Sequence, residues 1–131
     1  MKSRTVVSLL TLSLALGSLG LNQGCVAVVA GAGAGAAVAW VRGDLEATLD
    51  AGLDKGVDAV NAAIVQLKFA KVSEKKDALQ AIVIARNAAD KRIEFQLAHQ
   101  GARLTKLKIR VGVFGDEALS LSILEKIKAS L

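Results

Sequence analysis

The chain is poor in the residues that most often build chemistry. Its 131 residues include one cysteine, one histidine, one tryptophan, no proline and no tyrosine, and only 3% are aromatic. The single cysteine, Cys25, excludes an intrachain disulfide and a cluster of thiolates around a metal. The single histidine, His99, leaves no second His or Cys for a catalytic triad, and no serine lies in G-x-S-x-G. A histidine-based metal site would need further ligands, and spacing to Asp or Glu singles none out. Nucleic-acid binding is also poorly supported. Setting Lys2 and Arg4 aside from the 17 basic residues leaves 15 against 12 acidic ones, with the signs interspersed. Stacking residues are limited to Phe69, Phe95, Phe114 and Trp40. The expectation is a protein that is not an enzyme, with no cofactor, no metal and no nucleic-acid partner.

Charge is missing altogether from residues 5–41, and the first acid is Asp44. The stretch "MKSR" is a short positive start, and "TVVSLLTLSLALGSLG" is an apolar run ending in small residues. That layout is a secretory signal peptide, and its apolar core is short of the roughly 20 residues a spanning helix needs. "LNQGC" follows, and Gly24-Cys25 is similar to the end of a bacterial lipobox. The match departs from the usual box at two slots: the expected Leu stands one place early, at Leu21, and Asn22 and Gln23 fill the two positions before Gly24. Cys25 is the expected lipidation site. Each buried methylene contributes about 0.8 kcal/mol, and two or three acyl chains hold where one binds reversibly. By resemblance to lipoproteins as a class, Val26 in place of Asp after the cysteine points to the outer membrane in preference to the inner.

The glycine-rich stretch behind Cys25 admits three readings. Gly31, Gly33 and Ala36 fit G-x-G-x-x-[GA], with Asp50 and Asp54 further on, which outlines a dinucleotide loop. A lipidated cysteine just ahead and no strand–helix alternation behind argue against it. A P-loop fails for want of Gly-Lys-Ser/Thr. A membrane helix is the second reading, since Gly31 and Gly35 form GxxxG and Trp40 with Arg42 resembles an interfacial anchor. The uncharged run from Val26 to Val41 reaches only about 24 Å as a helix, against about 30 Å of hydrocarbon. The third reading, a lipid-proximal small-residue helix or tether, is preferred. Gly31, Gly33, Gly35 and Trp40 are its membrane-proximal packing residues.

From Asp44 the pattern becomes regular. "DLEATLDA" alternates as a half-buried strand, and Val57, Val60, Ile64 and Leu67 then fall at helical spacing, with Asp54 as N-cap. "FAKVSEK", "QAIVIARNA", "KRIEFQLAHQ" and "TKLKIRVGVF" are four further strands, with turns at "EKKDA", "NAAD" and "HQGAR". The alternation puts Leu107, Ile109, Val111 and Val113 on one face, and His99 in a turn. A last helix is capped by Asp116, with Leu119, Ile123, Ile127 and Leu131 along one side. The expected fold is α+β, an antiparallel sheet of about five strands in the order β-α-β-β-β-β-α. Helices cover one face, and the wet face carries Arg92, Glu94, Lys106, Lys108 and Arg110. The chain divides into a signal peptide (1–24), a lipid-proximal apolar segment (25–43) and an α+β domain (44–131).

Three stretches, "AGAGAGAAVAWVRGDLEATLD", "EKKDAL…IVIAR" and "IRVGVFGDEALSLSILEKI", resemble an uncharacterised family of small bacterial lipoproteins known only as a domain of unknown function. The resemblance implies a lipoprotein with an α+β body, and no activity. The order of elements is also weakly similar to helix-grip domains of some envelope-assembly lipoproteins. "VGVFGDEALS" invites a site, but Asp116 and Glu117 would repel an anion there, so a cap and a tight junction are expected. The expected role is a structural or protein-interaction module facing the periplasm, with an envelope protein or a second copy as partner. The alternative is a binder of a lipid or other apolar ligand in a sheet–helix groove. A pocket of several hundred Å3 with few aromatics to fill it would favour the binder, and a packed core with an exposed apolar patch the docking module.

Overall fold

The computed structural model describes residues 27–28 and 38–131. The elements are β1 (Ala27–Val28), β2 (Val38–Val41), β3 (Asp44–Leu49), α1 (Leu53–Gln66), β4 (Ala70–Lys76), β5 (Gln80–Arg86), β6 (Arg92–Gly101), β7 (Leu104–Val111) and α2 (Glu117–Ala129). One seven-stranded sheet runs β1-β2-β3-β7-β6-β5-β4, and all its pairings are antiparallel. The meander β4 to β7 therefore returns to pair β7 with β3, at the middle of the sheet. Among the described residues this antiparallel sheet contains no βαβ unit, the setting a dinucleotide loop needs.

The α+β expectation holds, with two strands added at its front. Val38–Val41 lies inside the segment assigned to a lipid-proximal helix or tether, yet it is β2, joined to β3 by a turn at Arg42 and Gly43. The folded body thus begins before residue 44. Trp40 stands opposite Leu45 and is half-buried against the core, so it packs as part of the sheet. The reason is pairing: a charge-free run beside a half-buried strand satisfies its backbone groups in the ladder. Cys25, Gly31, Gly33 and Gly35 lie outside the described residues.

Both helices cover one face. On β3, β5, β6 and β7 every second side chain is buried there, among them Leu45, Leu49, Val83, Ile93, Phe95, Leu97, Leu107 and Ile109. Val57, Val60, Ala63 and Ile64 of α1 meet them at helical spacing, as do Ile123, Leu124 and Ile127 of α2. Phe95 is fully buried at the centre of this layer.

Several local expectations shift. Asp54 is in the first turn of α1 rather than at its cap, which is Gly52 with no side-chain bond. The helix starts early because Leu53 is buried and the Thr105 hydroxyl donates to the Ala51 carbonyl at 2.8 Å, pinning the preceding loop. Asp54 pairs instead with Lys76, whose ammonium it holds above the ordinary lysine value. The "EKKDA" turn begins later, since β4 runs to Lys76, and Asp77 accepts from the Leu79 and Gln80 amides at 2.8 and 2.9 Å. Those bonds to the carboxylate hold Asp77 below its ordinary range. Likewise β6 extends to Gly101, so His99 is a strand residue opposite Thr105. Leu131 falls beyond the end of α2 and is half-exposed. Asp116 does cap that helix, accepting from the Leu119 amide at 3.0 Å.

The outer strand β4 carries few apolar groups. Its three lysines and a bulge between Lys71 and Ser73 discourage a further strand from pairing there.

Candidate functional site

Among the described residues no helix covers the second face of the sheet, and at its middle β3 meets β7. Alternation that buries Leu45 and Ile109 turns Asp44 and Glu46 of β3 outward beside Lys106, Lys108 and Arg110 of β7. Glu46 takes Lys106 at 2.9 Å, and Lys108 lies 3.5 Å from both Asp44 and Glu46. The Arg110 Nε donates to Asp44 at 2.6 Å. On β6, Glu94 accepts from Gln96 at 2.6 Å and from Arg92 at 2.8 Å.

These contacts tune the charges. The hydrogen bond from Lys106 and its positive charge, helped by Lys108, hold Glu46 below the ordinary carboxylate range. The Gln96 amide and then Arg92 do the same for Glu94. Asp44 raises Arg110 further above its already high value. The face is therefore a ladder of matched ion pairs rather than the basic patch its β7 residues alone imply.

At one end the ladder passes into a rigid platform. The Arg110 guanidinium also donates from Nη2 to the Arg42 carbonyl and from Nη1 to the Val113 carbonyl, both at 3.1 Å. It thus fastens the β2–β3 turn to the loop leading into α2. The two segments touch through glycines: Gly43 and Gly115 have φ of 87° and 83°, and a Cβ on either would overlap the other segment's backbone. Gly112, at φ 68°, turns the chain out of β7. The alternation stops there, so Val113, expected on the buried face, is 80% exposed, and Phe114 is 92% exposed. The sequence motif "VGVFGDEALS" therefore combines the expected cap with an apolar tip. Gly43 and the clamping role of Arg110 escape sequence reasoning, and Arg42, which resembles an interfacial anchor in the sequence, accepts from Arg110 through its carbonyl. The only prior signal was the pair of glycines, whose partnership spans most of the domain.

Open clefts lie at the two ends of the sheet. One, of about 710 Å3, runs beside this platform between Arg86, Arg92, Arg110 and Phe114. The other, of about 830 Å3, is bounded by Asp50, Asp54, Lys76, Asp77, His99 and Arg103. His99 is exposed there, and no group of three or more His, Cys, Asp or Glu among the described residues is placed to hold a metal ion. The second cleft reaches the first turn of α1 at Leu53, Asp54 and Lys55, at the end of the sheet. The layer between the sheet and its helices, where a groove for an apolar ligand was the alternative expectation, is filled by the core.

The chain can now be compared with known proteins. A family described as protein of unknown function (DUF3568) matches residues 5–130. The chain belongs to this family. Its match covers the ladder, the clamp and the tip together. A search among curated proteins gives no match. Among the described residues, no helix is long and apolar enough to cross a membrane.

Proposed function

We propose that this protein is a lipid-anchored bacterial envelope module, tethered through Cys25, that holds a protein partner near the membrane. Three sequence features support the anchor: a positive start, an uncharged apolar run and Gly24-Cys25 at its end. Val26 after the cysteine supports an outer-membrane destination, with the body in the periplasm. The docking role is carried by one structural observation, the ladder of paired charges on the sheet face that no helix among the described residues covers. Side chains already held by neighbours lose little freedom on binding, and alternating charges choose among partners more than they add raw affinity. The proposed role requires no catalytic residue and no cofactor.

The alternative, binding of an apolar ligand, has less support because the helix-covered face is filled by Phe95 and its aliphatic neighbours. Crosslinking and capture from intact membranes separates the two. Cys25→Ser is expected to lose acyl labelling and membrane attachment; unchanged labelling would mean the anchor is wrong. A double exchange, Glu46→Lys with Lys106→Glu, keeps the pair but inverts its field, and should cut partner capture roughly tenfold. Capture of a copurifying lipid and no protein would replace docking with the binder.

A further inference from the structure

We infer that the Val113–Phe114 tip, on its Arg110-clamped platform, is the membrane-facing end of the body and seats in the bilayer interface. The inference rests on the lipid-anchor reading of Cys25. A phenylalanine 92% exposed beside a valine 80% exposed is unusual for a loop held this firmly, with Arg110 bonded to both segments and two glycine backbones in contact. A side chain presented on a rigid base forms an apolar contact with little ordering cost.

The geometry of the first strand says which surface this end meets. Ala27 of β1 stands opposite Trp40, two residues before the Arg42–Gly43 turn, so β1 begins at the platform end of the sheet. Cys25 precedes Ala27 by two residues, and chain geometry keeps its Cα within about 7 Å of that of Ala27. Strands β1 and β7 are three steps apart in the sheet, about 14 Å at the usual spacing. Acyl chains on Cys25 would therefore bring the bilayer to the same end as Phe114. The rim carries Arg42, exposed at the turn, and Lys91 and Arg92, exposed but already facing Asp116 and Glu94; cations so placed can meet anionic headgroups while Phe and Val enter the acyl boundary. Asp90, Asp116 and Glu117 share this end, so the apolar pair and the anchor, more than net charge, carry the contact.

The test uses the full acylated chain in vesicles of phosphatidylethanolamine and phosphatidylglycerol. With Cys25 acylated, Phe114→Cys supplies one free thiol for an environment-sensitive fluorophore, and Arg103→Cys reports the opposite end of the sheet. Both positions are exposed, so labelling leaves the core intact. Brominated lipids should quench the label at 114 at least about threefold more than the label at 103, with iodide in the water showing the reverse order. Equal quenching at the two positions on an acylated chain overturns the tip contact alone. Absence of acyl mass on Cys25 overturns the anchor itself, and with it the inference.

Discussion

The two faces of the sheet are built from the same strands, residue by residue, and do different work. On the helix-covered face, Leu45, Phe95, Leu107 and Ile109 are fully buried and make the core. One residue along each strand, Asp44, Glu46, Lys108 and Arg110 face outward and hold one another, and Glu94 beside them is held by Gln96 and Arg92. The covered face determines whether the chain folds. The open face determines what the folded chain presents, because exposed ion pairs add little stability yet fix charges in space. The Gly43–Gly115 contact belongs to neither face; it is where the sheet's end is welded into a platform.

Three measurements sharpen that division. Phe95→Ala should cost about 3–5 kcal/mol in denaturant unfolding, whereas its neighbour Glu94→Ala on the other face should cost about 0.5 kcal/mol. Comparable losses would erase the distinction between the faces. Next come the glycines. Gly112→Ala meets no atom within 4 Å but keeps a left-handed backbone, so about 1 kcal/mol is expected. Gly115→Ala adds overlap with Gly43 and should cost roughly 3 kcal/mol. Equal costs would show that the platform contact is not tight.

The smallest effect is electrostatic. Glu46 and Glu94 are held below their ordinary range in the folded protein. Their contribution is therefore present above the unfolded value and lost as pH falls through the folded one. The melting temperature should stay level down to about pH 5 and decline below about pH 4. Glu46→Gln should blunt that decline and cost under about 1 kcal/mol at neutral pH. A steeper acid loss in the variant would contradict the ladder.

Much of this architecture was legible in the sequence. Period-two alternation in "DLEATL", "RIEFQLA" and "TKLKIRV" places both faces correctly, and the spacing of Val57, Val60 and Ile64 places α1. The outward position of Lys106, Lys108 and Arg110 follows from the same alternation. Their neutralisation does not, since Asp44 and Glu46 lie some sixty residues away and meet them only through the β3–β7 pairing. Gly112 interrupts the alternation in the sequence as a bulge would, which leaves Val113 on the buried face; the left-handed turn at Gly112 instead ends the strand and exposes Val113. Trp40 was read with the apolar run before it, because an uncharged segment looks alike whether a membrane or a sheet partner satisfies its backbone.

Local sequence by itself determined which residues alternate, where α2 is capped and which residue types are too scarce for a triad. Those properties depend on neighbours a few positions apart, through backbone geometry and hydrophobic period. Tertiary structure alone decided that β7 pairs with β3, that Arg110 joins Arg42 to Val113, and that Phe114 stands exposed. Each of these depends on groups far apart in the chain, brought together when the meander returns to the centre of the sheet.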